Sequence, residues 1–195
     1  VGSSYMLSWL GVTTSDDNVY DELGKISAIM DNGTKYHIHN VVLMMPRQNI
    51  TDNQKFKEAL VKYGAVGVSV HGASKSDDFN EKTNASYFYN ETFGIGTDHT
   101  VTLVGWNDSY SKANFVKTPP GDGAWIIKNS WGEDWADEGY YYVSYYDTAF
   151  GTEKIPVAFI IEDYPSYEKN YQYDIISNID FNIYKENVTY ANKYT

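Results

Sequence analysis

The run Ala124-Trp125-Ile126-Ile127-Lys128, ended by Asn129 and followed two residues later by Trp131, constrains this chain more than any other stretch. It reads as an apolar strand with a carboxamide at its end. A second strand-like run, Thr100 to Trp106, is rich in Val and Thr and has His99 just before it. A histidine beside an amide that holds its ring, next to an indole that keeps water off the bond, suits a catalytic base. The two runs therefore have most to gain from a fold that places them side by side. There the amide oxygen of Asn129 would accept from one ring N–H, fixing the tautomer and leaving the other nitrogen to face a substrate.

Around these runs the chain alternates one helix with several strands. His37 to Met45 reads as a strand stopped by Pro46. Thr51 and Gln54 have the spacing of a capping box, followed by Phe56, Ala59, Leu60 and Tyr63 on one helical face and Gly64 as the stop. Val66, Val68 and Val70 alternate with Gly67 and Ser69 in the next strand. A long Asn-, Ser- and Asp-rich loop spans His71 to Asp98, broken by Tyr87-Phe88-Tyr89; loops of that length are commonly functional or ordered by aromatics. Further strands are expected at Ala124–Lys128, Gly139–Tyr146 and Pro156–Ile161. Earlier in the chain, Ser3 to Leu10 looks like the end of a helix closed by Gly11, and Val12 to Tyr36 is polar and turn-rich. One helix followed by strands and returns predicts an α+β class, with an antiparallel sheet curling into a barrel-like half packed by a helix.

The strand–carboxamide run continues as Lys128-Asn129-Ser130-Trp131-Gly132-Glu133-Asp134-Trp135-Ala136-Asp137-Glu138-Gly139-Tyr140, with Asp98-His99 ahead of Thr100-Val101-Thr102-Leu103-Val104-Gly105. These words resemble the papain-like cysteine peptidases, whose pattern is K-N-S-W-G-x-x-W-G-x-x-G-Y after a D-H strand. Only Ala136 stands where that family usually has glycine. The resemblance is clear from about Gln54 to about Tyr146. It implies a papain-like fold, with residues 1–36 ending the left-hand, cysteine-bearing domain and 37–162 forming the right-hand β domain. Residues 163–195, rich in Tyr and Asn, would be a tail or the start of a further, lectin-like β domain that makes carbohydrate a candidate partner.

By the same resemblance His99 is the base, Asn129 the orienting amide, Trp131 the indole covering their bond, and Asp98 the acidic neighbour that tunes the site. Ser69 and Thr100 would line a substrate pocket. The reaction implied is hydrolysis of a peptide or protein substrate by Cys-His-Asn chemistry, with no cofactor and no metal. The family's cysteine lies about 130–150 residues before its histidine. In this chain that places the nucleophile, and an earlier oxyanion-hole glutamine, about 30 to 50 residues before Val1. An inactive relative serving as a binding or adhesion module on a cell surface is the alternative.

Composition narrows the partners. The 195 residues carry a formal charge of −11, which disfavours nucleic acid and anionic membrane. No apolar run reaches the length of a membrane span. There is no cysteine, hence no disulfide and no thiol nucleophile within the chain itself. Glycosylation triplets at Asn32, Asn49, Asn84, Asn90, Asn107 and Asn187, with an acidic and tyrosine-rich composition, lean towards an extracellular or cell-surface location. His37 and His39 share a strand face at a spacing a metal would accept, but no third ligand is near in sequence, so an exposed strand face is the better reading.

Overall fold

A computed structural model describes residues 36–73 and 77–162; the expected helix at Ser3–Leu10, the polar stretch up to residue 35 and the tail from Asp163 lie outside them. The described elements are β1 (His37–Leu43), α1 (Gln54–Tyr63), β2 (Val66–Val70), β3 (Phe79–Asn80), β4 (Ala85–Ser86), β5 (His99–Asn107), a 3-10 turn at Lys112–Asn114, β6 (Ala124–Lys128), β7 (Tyr140–Ser144) and β8 (Val157–Glu162). The strands form one sheet in the order β1-β8-β2-β5-β6-β7-β4-β3. Its central pairings, β2–β5, β5–β6 and β6–β7, are antiparallel, and β4 joins β7 in parallel. One helix on a mostly antiparallel sheet is the expected α+β arrangement. Residues Val42–Phe159 make one compact unit, which holds every candidate site residue.

The alternation in β2 determines which face is buried. Val66, Val68 and Val70 stand opposite Leu103, Val101 and His99 of β5, and opposite residues in a ladder share a face. The valines and their β5 partners Val101 and Leu103 are buried, so the same register carries His99 to the mouth of the core. Helix α1 covers this face with Phe56, Ala59 and Leu60, the i, i+3, i+4 stripe anticipated from sequence. Phe56 packs on Trp125 and Phe150, with ring centroids 5.9 and 5.6 Å apart. Burying a side chain of this size contributes about 2–3 kcal/mol. Gly64, at φ +82°, closes the helix by donating its N–H to the Leu60 carbonyl at 2.8 Å.

The start of α1 differs from the expected capping box. Its first flanking residue is Asn53, whose side chain makes no capping bond. The Thr51 hydroxyl and backbone N–H both go to Asn49 Oδ1, at 2.7 and 3.0 Å, and Gln54 Nε2 reaches forward to Glu58 Oε1. The Asn49 side chain thus captures the residue that sequence assigned to the helix, a local competition typical of Asn and Thr.

The long loop also contains more order than its composition suggested. Phe79–Asn80 and Ala85–Ser86 form a short antiparallel pair that extends the sheet beyond β7. In β5 a register shift between Leu103 and Gly105 leaves Val104 as an extra residue, a bulge that bends the strand.

Candidate active site

Antiparallel pairing of β5 with β6 brings the beginning of one strand to the end of the other, with Thr102 opposite Lys128. His99 opens β5 and Asn129 immediately follows β6, so the two side chains meet. His99 Nε2 lies 2.9 Å from Asn129 Oδ1. The same Oδ1 accepts the Ser130 backbone N–H at 2.8 Å. A backbone N–H only donates, so the atom facing the ring is the oxygen. Nε2 therefore carries the proton of that bond, and Nδ1 is left as the ring's basic nitrogen. Asn129 is itself held by its N–H to the Gly139 carbonyl at 2.9 Å and is buried, whereas His99 is half-buried.

Trp131 stacks near the imidazole, with ring centroids 5.2 Å apart and planes 28° from parallel. It is 39% exposed, which for an indole means one side is presented to solvent. Trp135 meets its edge at 4.8 Å and is backed in turn by Phe79 at 5.5 Å and Tyr141 at 5.3 Å. This aromatic relay anchors the otherwise exposed loop between β6 and β7. Trp135 was legible as packing; Phe79 was not, because it comes from the loop read as irregular.

The backbone of this loop bends through left-handed conformations. Gly139, at φ +81°, has the Gly132 carbonyl oxygen 2.8 Å from where a Cβ would be, so only glycine fits. Ala136 takes φ +54° at the position where glycine was expected. A left-handed conformation costs a residue with a Cβ about 1–2 kcal/mol. Ala136→Gly should therefore raise stability by about 1 kcal/mol, after the greater flexibility of glycine in the unfolded chain is subtracted. A urea titration checks this through its midpoint, and an unchanged or lower midpoint would contradict it.

The other residues singled out from sequence occupy different places. Asp98 turns to β2: its Oδ1 accepts the Gly72 N–H at 2.6 Å, and its own N–H goes to the Val70 carbonyl. It braces the strand end from which His99 projects. Thr100 and Ser69 are directly opposite one another, one register step from Val70 and His99 and so on the other face. Thr100 is exposed. Ser69 is buried, with its hydroxyl 3.5 Å from the Lys154 N–H and its carbonyl accepting from Gly151. Ser69 thus presents no surface to a ligand, a correction to the pocket expectation: the segment after β7 folds over it. Among the described residues no cluster of three metal-ligating side chains occurs.

Known proteins resemble this chain in sequence and in fold. A family model described as papain family cysteine protease matches residues 3–160. The chain belongs to the papain family of cysteine proteases. Within that family it is 29% identical over 132 residues to a probable cysteine protease, RDL2, of Arabidopsis thaliana, covering 67% of this chain and 32% of that protein. It is 32% identical over 143 residues to falcipain-3 of Plasmodium falciparum, covering 69% and 25%. The chain thus spans about a third or less of these curated papain-family relatives. Among solved structures, the cysteine protease and lectin-like domains of Cwp84, a surface layer associated protein of Clostridium difficile, superpose with a TM-score of 0.73. That match is 29% identical and covers 89% of this chain and 38% of the other. The bromelain protease of Ananas comosus, bound to the E64 inhibitor, has a TM-score of 0.55 at 19% identity, covering 81% and 66%, and shares the papain-family fold.

Proposed function

We propose that this chain is the His- and Asn-bearing part of a papain-family cysteine endopeptidase whose thiol and oxyanion-hole glutamine come from residues upstream of Val1. Residues 37–162 are the right-hand domain in this reading, and the segment before them completes the left-hand one. The observation that carries it is the 2.9 Å contact between His99 Nε2 and Asn129 Oδ1, beside a stacked Trp131. The contact commits one ring nitrogen to orientation and leaves Nδ1 for proton transfer.

The chemistry follows from that division. A cysteine thiolate attacks the amide carbonyl, a C–S bond forms, and the carbonyl oxygen takes the negative charge. His99, as imidazolium, gives its Nδ1 proton to the departing amine as the C–N bond breaks. It then takes a proton from the water that hydrolyses the thioester. Asn129 keeps the ring plane fixed through both transfers, and Trp131 shelters the orienting bond from water, where it would be weaker. Asp98 acts on this site by positioning the start of β5. Thr100, on the other face of β5 from His99, takes no part in this mechanism. The glycosylation triplets and the Cwp84 likeness favour an extracellular or surface location.

Labelling with an epoxide inhibitor of thiol proteases tests this reading in the longer protein. The expected result is a single covalent adduct on a cysteine upstream of Val1, located by peptide mass mapping. Absence of any adduct under reducing conditions would favour the second reading, a catalytically inactive surface-binding module.

A further inference from the structure

Trp131 has the imidazole of His99 as one neighbour and Trp135, meeting it edge-on, as another; where Trp131 and Trp135 meet, the surface forms a groove of about 520 Å³. Trp131, Trp135 and Phe79 line it, together with Glu81 and Asp134. Both carboxylates are exposed, and neither has a hydrogen-bond or ion-pair partner among the described residues. Lys82 follows Glu81 in sequence but does not line the groove, and two further lysines of the same loops are engaged elsewhere. Lys128 Nζ donates to the Glu138 carbonyl and sits 4.2 Å from the Tyr140 ring centroid, and Lys117 pairs with Asp78 at 2.8 Å.

Aromatic faces carry the negative end of the ring quadrupole, so they attract a cation and also cover its apolar stem. Two unneutralised carboxylates add to the same preference. Among the described residues no positively charged side chain lines the groove, so none of them supplies a counter-charge for an anionic guest. We propose that this groove selects a lysine or arginine side chain of the peptide substrate, on the Trp131 side of the bond that is cut. The proposal rests on the peptidase reading, because His99 defines where that bond lies. The aromatic and acidic residues named in the groove all belong to this chain, so their selectivity is measurable without the nucleophile.

The test uses the 195-residue chain and three blocked peptides, Gly-Lys-Gly, Gly-norleucine-Gly and Gly-Glu-Gly, followed through the indole N–H signals of Trp131 and Trp135. The lysine peptide should move both signals and bind about tenfold more tightly than the norleucine peptide, with the glutamate peptide weakest. In the E81Q/D134N variant the lysine advantage should fall to about threefold or less, while norleucine binding stays unchanged. Equal binding of the three peptides, a lysine preference that survives intact in the double variant, or no perturbation of either indole would overturn the proposal. The hydrolase reading fails separately, by the absence of an epoxide adduct; a lysine preference without an adduct leaves a cation-selective groove on an inactive module.

Discussion

In the longer protein, His99→Ala should lower kcat/KM by at least about 10⁴-fold with the fold intact. In the proposed mechanism the ring would supply both the charge that holds the thiolate and the proton that the leaving amine needs, and no neighbouring side chain in the described site replaces it. Asn129→Ala should be milder, about 10- to 100-fold, the worth of one hydrogen bond to a charged partner. It removes the acceptor of Nε2–H and of the Ser130 N–H but leaves Nδ1 in place. The measurement is steady-state hydrolysis of a peptide substrate, with circular dichroism as the control for folding. A loss from Asn129→Ala equal to that from His99→Ala, at unchanged circular dichroism, would contradict this ordering of roles.

Arg47→Ala should destabilise the fold by about 3–5 kcal/mol, because it strips a buried site of its cation. Arg47 is 2% exposed, and its guanidinium donates to the carbonyls of Asp147 at 2.7 Å, Ile50 at 2.8 Å, and Tyr145. One side chain thereby ties the end of β1 to the segment after β7. Burial lowers its pKa to about 10, with the nearby charges of Asp147 and Asp52 opposing the shift, so it remains cationic at neutral pH. Asp147 is also buried. Its carboxylate accepts the N–H groups of Phe88, Ala149 and Phe150, each at 2.9 Å, yet burial still pushes its pKa upward. Removing Arg47 leaves the Asp147 and Tyr145 carbonyls unmatched, the Ile50 carbonyl with Asn53 Nδ2 alone at 3.3 Å, and the Asp147 charge uncompensated. Arg47→Lys should recover only part of the loss, since one ammonium does not reproduce a planar fork. Urea unfolding reads both variants; a loss below about 1 kcal/mol for Arg47→Ala would show that water replaces the guanidinium at little cost.

Arg47 also illustrates what the sequence concealed. Its position after Pro46 carries no local sign of burial, because two of its three carbonyl partners, Asp147 and Tyr145, are brought in from far along the chain. By contrast, α1 was legible in Phe56, Ala59 and Leu60, and its stop in Gly64, because side-chain period and backbone conformation are local properties. Strands β2, β5 and β6 were legible for the same reason. Two-residue strands such as β3 and β4 carry no period; they are held by tertiary bonds, including Tyr142 N–H to the Asn84 carbonyl and Tyr87 N–H to the Asp78 carbonyl. Phe79 and Glu81 therefore entered the groove unannounced. The meeting of His99 with Asn129 was foreseeable because both stand at strand ends, where antiparallel pairing has few alternatives. The burial of Ser69 was not, since it depends on how the segment around Lys154 folds back.

Nitrogen-15 NMR of the His99 ring in this chain tests the imidazole–carboxamide pair most directly, above the pH at which the ring loses its charge. The pair predicts the Nε2–H tautomer, with an Nε2 proton that exchanges slowly in wild type and rapidly in Asn129→Ala. A ring that holds its proton on Nδ1, or a tautomer balance and exchange rate unmoved by Asn129→Ala, would contradict the account.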